Sequence, residues 1–207
     1  MDTAEDADSY DAMDHSGPNA AFIERLAALG ARGRMLDVGT GPGHIPVLVC
    51  GAIADATVVG VDLSKNMLRH AEKHRAASPH RDRILYRFAD AKGLDFPDAS
   101  FDAVFSNTIL HHIPDPRPFL AQAYRVLRPG GAFLVRDLFR PDTPERALEL
   151  VRLHTEGADP VQKELFRASL HAALTPDELR ALVAELRIPA EVVVDTDRHV
   201  SVQIRAH

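Results

Sequence analysis

Three acids and a run of glycines are the residues best placed to do chemistry. Asp37 sits in the apolar run Met35-Leu36-Asp37-Val38, which stops in Gly39-Thr40-Gly41-Pro42-Gly43. Asp62 ends the run Thr57-Val58-Val59-Gly60-Val61, and Asp90 follows Ile84-Leu85-Tyr86-Arg87-Phe88-Ala89. Short apolar runs bounded by turn residues read as buried strands. His44 through Ala54 reads as a helix. Strand, glycine turn and helix open a βαβ unit, and such a turn receives an adenosine-bearing ligand at the helix N-terminus. Glycine lets the backbone approach that ligand where a Cβ would collide with it.

The spacing narrows the ligand. Dinucleotide folds carry G-x-G-x-x-G, whereas here the glycines fall at 39, 41 and 43, and position 44 is His. An acid ending the second strand can accept both ribose hydroxyls. Three acids at the carboxyl ends of three successive strands suit a ligand that carries a sulfonium and an ammonium. They suit a pyrophosphate poorly.

Four motifs in order make the pattern specific: LDVGTGPG (36–43), VVGVDLSKNML (58–68), FADAKGLDFPDASFDAVFSN (88–107) and RVLRPGGAFLV (125–135). Together they resemble the class I S-adenosylmethionine-dependent methyltransferases. The general likeness is to the small-molecule group, methyltransferase type 11, that includes the ubiquinone/menaquinone C-methyltransferases. The resemblance implies S-adenosylmethionine as cofactor. It implies that Gly39, Thr40 and Gly41 border the methionine part, with Asp37 organising the turn. It implies that Asp62 takes the ribose hydroxyls, with Leu63 and Met67 near the adenine. Asp90 then accepts from the adenine amine, Ala91 offers a backbone donor, and the main chain near Asn107 faces the ammonium. For Met67, core packing is an equal reading. Asn107 is followed by Thr108-Ile109 and no Pro-Cys pair exists, so two nucleic-acid-modifying signatures are missing.

The rest of the chain must position these residues. The expected architecture is α/β, a Rossmann-like seven-stranded sheet of order 3-2-1-4-5-7-6 with strand 7 antiparallel and helices on both faces. A single domain is expected over 1–207. Helices are expected at Pro18–Leu29 and Lys65–Ala76, the second capped by Ser64. Phe101–Ser106 is the fourth strand, a helix starts at Pro116, Pro129-Gly130-Gly131 ends it, and Ala132–Leu138 is the fifth strand. Residues 141–188 read as almost wholly helical. They form an insertion that covers the substrate or only packs an edge. Glu191–Asp195 and His199–Ile204 close a hairpin. Residues 1–14 hold six acids and no Lys or Arg. They are either a frayed tail or a lid helix carrying Tyr10 and Met13 over the cofactor.

Catalytic candidates come from strand ends. His111 and His112 follow strand four, where either acts as a base or only fixes the loop. Strand seven begins at His199 and should pair with the end of strand five at Arg136 and Asp137. Asp137 and His199 would then sit together, with Arg136, Arg140, Arg198 and Tyr10 as candidate substrate contacts. The competing arrangement is an Asp137–Arg198 salt bridge that ties two strands. No metal is expected, the eleven histidines being read as scattered.

Composition limits the partners. At 207 residues the chain can build a core, and a net charge of −6 argues against broad nucleic-acid or anionic-membrane binding. One cysteine allows no intrachain disulfide and fits a reducing cytoplasm. There is no long apolar run for a membrane span, and the acidic start is unlike a secretory leader. The expected activity is methylation of a small soluble molecule in the cytoplasm. The alternatives are methylation of protein or RNA, or a non-catalytic S-adenosylmethionine sensor.

Overall fold

The computed structural model describes residues 3–11 and 16–207. Its strands are β1 Arg34–Val38, β2 Thr57–Asp62, β3 Ile84–Phe88, β4 Phe101–Asn107, β5 Leu127–Leu138, β6 Glu191–Val194 and β7 His199–Ile204. They form one sheet in the order β3-β2-β1-β4-β5-β7-β6, as expected. β1 pairs in parallel with β2 and β4, β2 pairs in parallel with β3, and β6 and β7 are antiparallel. The helices are α1 Ala4–Asp11, α2 Ser16–Ala28, α3 His44–Ala52, α4 Lys65–Ala77, α5 Arg117–Arg125, α6 Pro144–His154, α7 Pro160–Ala172 and α8 Pro176–Glu185. By their contacts the residues divide into two compact units. One comprises 1–107, 118–134 and 204–207, the other 108–117 and 135–203.

In the first unit β1 and β2 are buried along nearly their whole length, as apolar strands inside a parallel sheet are. Phe22, Leu26 and Leu29 of the α2 segment join Met35, Val49, Val58, Phe105 and Leu134 in one buried cluster. Residues 4–11, for which a frayed tail and a lid were both open, form helix α1, which packs on α4. Met13, expected on that lid, lies outside the described residues. Cys50 is buried, its Sγ near the carbonyls of Ala56 and Arg83. The Pro129-Gly130-Gly131 segment does not interrupt the chain as expected, because β5 already begins at Leu127. A Cβ on Gly131 would lie 2.5 Å from the Asp102 carbonyl, so the extended path there depends on glycine.

In the second unit three helices fill 144–185, each starting with proline. Asp159 and Thr175 close capping boxes with Gln162 and Glu178. Leu138, Leu150, Leu170 and Ala173 form its core.

Candidate active site

The glycine turn is held from three sides. The amides of Gly39 and Thr40 donate to the Val61 carbonyl at 2.8 and 2.9 Å, fixing the end of β1 to the end of β2. Asp37 is buried and accepts the Thr40 hydroxyl at 2.8 Å. Tyr86 of β3 donates to the Gly43 carbonyl at 3.1 Å. Gly41 and Gly43 have φ of 54° and 81°, in the left-handed region. Their surroundings differ. A Cβ on Gly43 would strike the Tyr86 hydroxyl and come within 2.8 Å of Ala71, whereas one on Gly41 would meet nothing within 4 Å among the described residues beyond its chain neighbours. Gly43 is therefore required by packing, and the space beside Gly41 is open to a ligand.

Asp62 turns its carboxylate onto the same turn. Oδ2 accepts the Gly41 amide and Oδ1 the Ser64 amide, both at 2.8 Å. An ionised carboxylate offers about four lone-pair sites. A third backbone bond, from Leu63, also favours the charged form, and the carboxylate keeps acceptor capacity for the ribose diol. Ser64 then caps α4 by accepting the Met67 amide. Met67 itself is buried, while Leu63 beside Asp62 is one of the exposed large apolar side chains. Asp90 is part-exposed and accepts the Lys92 amide at 2.9 Å, which with the Lys92 ammonium at 3.2 Å holds its carboxyl below the ordinary range. Ala91 is half-buried, and Asn107 is the last residue of β4.

Sequence reasoning missed two residues. A Cβ on Gly60 would lie 2.6 Å from the Thr40 hydroxyl and 2.7 Å from the Tyr86 ring. Gly60 and Tyr86 therefore shape the turn from the neighbouring strands. The only signals were a glycine inside a strand and a tyrosine on a buried one.

Burial pushes the Asp37 carboxyl from its ordinary 3.8 up to about 7, with the Thr40 hydrogen bond opposing and the nearby Asp62 charge adding. Between these values the folded chain keeps a proton that the unfolded chain loses. Stability from this group is therefore full below about pH 4 and falls as pH rises through 7, by at most about 4 kcal/mol. Asp90, Glu178 and Asp197, whose carboxyls are held low, have the opposite slope. Comparing wild type with Asp37→Asn isolates the term. Urea midpoints measured from pH 4 to 7 should fall more steeply in wild type, and parallel curves would refute the assignment.

In the second unit the chain leaves β4 through Thr108, a β-branched residue at φ 63°, whose amide donates to the Arg136 carbonyl at 2.8 Å. Such a residue in the left-handed region stores about 1–3 kcal/mol of strain. A single 3-10 turn, Leu110–His112, follows. Asp137 of β5 accepts the Leu110 amide through Oδ2 at 2.5 Å and meets His111 Nδ1 through Oδ1 at 2.6 Å. With Asp137 ionised, Nδ1 carries the proton and Nε2 presents a lone pair. The His112 ring centroid lies 4.0 Å from that of His111. Burial, then the neighbouring His111, push His112 down to about 4, so it is neutral at pH 7. α7 contacts this turn, placing the helical insertion against the two histidines.

The expected Asp137–His199 pair does not form. Arg136 Nε is 3.6 Å from Asp195 Oδ2, and the Ser201 hydroxyl donates to the same oxygen. Side chains alternate along strands. Asp137 therefore turns to the opposite face from Arg136, while His199 shares the Ser201 face. His199 Nδ1 lies 2.9 Å from the Thr196 hydroxyl. Burial, then Arg136 and Arg198, push His199 down to about 3. The alternative Asp137–Arg198 bridge is not formed either. Arg198 lies 3.0 Å from Asp197 and 2.9 Å from His154, and Arg140 binds Glu178 and the Ala173 carbonyl. Tyr10 is half-buried on α1.

Comparison with known proteins now adds weight. Residues 36–135 match the family model described as a methyltransferase domain. The matched segment, just under half of the chain, is similar to that family's domain. It is 32% identical over 184 residues to 27-O-demethylrifamycin SV methyltransferase of Amycolatopsis mediterranei, a match covering 86% of this chain and 63% of that protein. It is 36% identical over 108 residues to demethylmenaquinone methyltransferase of Symbiobacterium thermophilum, covering 52% and 43%. The chain thus spans only part of the length of these relatives. Phosphoethanolamine N-methyltransferase 2 of Haemonchus contortus, solved in complex with S-adenosyl-L-methionine, superposes with a TM-score of 0.67 at 26% identity. That match covers 87% of this chain and 39% of the other. The methyltransferase turn of β1, Gly39–Gly43, falls inside the matched segment, and so do Asp62, Asp90 and the two histidines.

Proposed function

We propose that this chain transfers the methyl group of S-adenosylmethionine to a hydroxyl of a small soluble acceptor in the cytoplasm. The observation that carries the reading is the turn itself. Among the described residues beyond its two neighbours nothing crowds the Cβ side of Gly41, and Asp62 holds the Gly41 amide while keeping acceptor capacity. The acids supply what this ligand needs: a carboxylate for the ribose diol at Asp62, an acceptor for the adenine amine at Asp90, and buried Asp37 shaping the turn. Ala91 and the Asn107 main chain complete the set, with exposed Leu63 near the ring.

The transfer is an in-line displacement. The acceptor oxygen attacks the methyl carbon, the carbon–sulfur bond breaks, and sulfur leaves as a neutral thioether. No leaving-group acid is needed. Alignment at about 3–3.5 Å supplies roughly 7–11 kcal/mol of such a barrier. The acceptor's proton goes to His111 Nε2, and Asp137 holds the imidazole in the tautomer that can receive it. His112, neutral at pH 7, serves as a polar lining group beside His111. Arg136, Arg140 and Arg198 tie together segments of their own unit. The three arginines all face internal carboxylates, which supports a positioning role over free anion capture.

The relative that methylates a rifamycin oxygen supports an organic hydroxyl as acceptor. The net charge of −6 supports a small molecule over nucleic acid. The test is incubation with methyl-labelled cofactor and a panel of phenols, polyketide hydroxyls and quinols, read by mass spectrometry. A labelled O-methyl product is expected. Transfer only to protein or RNA, or tight cofactor binding with no transfer at all, would overturn the reading.

A further inference from the structure

Three of the eleven histidines converge on one carboxylate. Asp11 ends α1, His44 opens α3, and His70 and His74 lie one turn apart on α4. Asp11 Oδ1 is 3.0 Å from His44 Nε2 and 2.7 Å from His74 Nε2. The three ligand-capable atoms all lie within 4.8 Å of one another. Its other oxygen, Oδ2, is 2.9 Å from His70 Nδ1, and His70 Nε2 is 2.7 Å from Asp8 Oδ1. His70 is buried, whereas Asp11, His44 and His74 are each part-exposed.

We propose that Asp11, His44 and His74 form a divalent transition-metal site of zinc type, which clips α1 to the first residue of α3 and the last turn of α4. The donor set, two imidazole nitrogens and one carboxylate oxygen, is that of three-ligand zinc centres with an open position for water. Tetrahedral bonds of about 2.0–2.1 Å set neighbouring ligand atoms about 3.3 Å apart. The observed 2.7 and 3.0 Å need to open by only a few tenths of an ångström.

The surroundings resemble a built site more than a chance cluster. Ligands of metal sites are characteristically oriented from behind by further hydrogen bonds. Here Asp8 holds His70, His70 holds the second oxygen of Asp11, and Asp11 presents the first to the two imidazoles. Part-exposure leaves an entry path for the ion. The ligands come from three elements far apart in sequence. Bound metal would therefore couple α1 to the helix that begins directly after Gly43.

The test uses the full chain, stripped with a chelator and titrated with Zn²⁺ by calorimetry and with Co²⁺ by visible absorption. One equivalent should bind, with the intense bands of four-coordinate cobalt, and zinc should slow amide exchange in residues 4–11. His74→Ala and Asp11→Asn, at part-exposed positions, should each weaken binding at least tenfold. His70→Ala should weaken it by roughly 10–100-fold through loss of orientation. His171→Ala, outside the cluster, should leave it unchanged. Absence of saturable uptake would overturn the site, as would equal uptake by wild type, His74→Ala and Asp11→Asn. In either case the cluster would be only a hydrogen-bonded clasp.

Discussion

Replacing His111 by alanine should lower kcat by about 10²–10⁴-fold, the usual contribution of a positioned general base. Cofactor affinity should change little, because the contacts of His111 are to Asp137 and His112 within its own unit. Asp137→Asn should act in the same direction. Its amide oxygen can still accept the Leu110 amide, but its charge no longer holds the proton on Nδ1 of His111. The separation of effects is the informative readout. Single-turnover rates and cofactor titrations on both variants would provide it. If His111→Ala kept full kcat with a lowered melting temperature, the pair would be a clasp for the 3-10 turn, with Asp137 working only as its cap.

Gly41→Val should abolish measurable cofactor binding while the fold survives. The left-handed backbone at Gly41 makes valine cost about 1–3 kcal/mol of stability. Among the described residues, no atom beyond the two chain neighbours lies within 4 Å of the new Cβ, so packing there adds little further penalty. The branches instead occupy ligand space. Overpacking of about 3 kcal/mol is more than a hundredfold in affinity. Gly43→Val gives the contrast. Its side chain would collide with Tyr86 and Ala71, so unfolding should precede any question of binding. Circular dichroism and thermal melting of the two variants distinguish these outcomes. A folded Gly41→Val chain with wild-type affinity would place the ligand elsewhere.

Most of the first unit was legible because its signals are local. An apolar run, a glycine turn and an acid at each strand end are adjacent in sequence, so the strand order and the placement of Asp37, Asp62 and Asp90 followed directly. Gly60 and Tyr86 were harder to see, since their purpose lies in what they touch on neighbouring strands. The ends of β5 and β7 show the other limit. Their proximity was readable from topology, but the face was not. Asp137 and His199 differ in orientation because side chains alternate, and one residue of register decides which face each takes. The eleven histidines looked scattered for the same reason. Asp11, His44 and His74 meet only when α1 packs on α4 and α3 begins beside them.

The central claim is that the turn after β1 binds S-adenosylmethionine through its glycines and Asp62. Calorimetric titration with S-adenosylhomocysteine and, in parallel, with NAD tests it most directly, on wild type and on Asp62→Ala. One saturable site for S-adenosylhomocysteine and no heat from NAD are expected. Asp62→Ala should weaken binding by roughly ten- to a hundredfold, for the loss of about 1.5–3 kcal/mol of hydrogen bonds to a charged group. Saturable NAD binding with none for S-adenosylhomocysteine, or unchanged affinity in a folded Asp62→Ala chain, would contradict it.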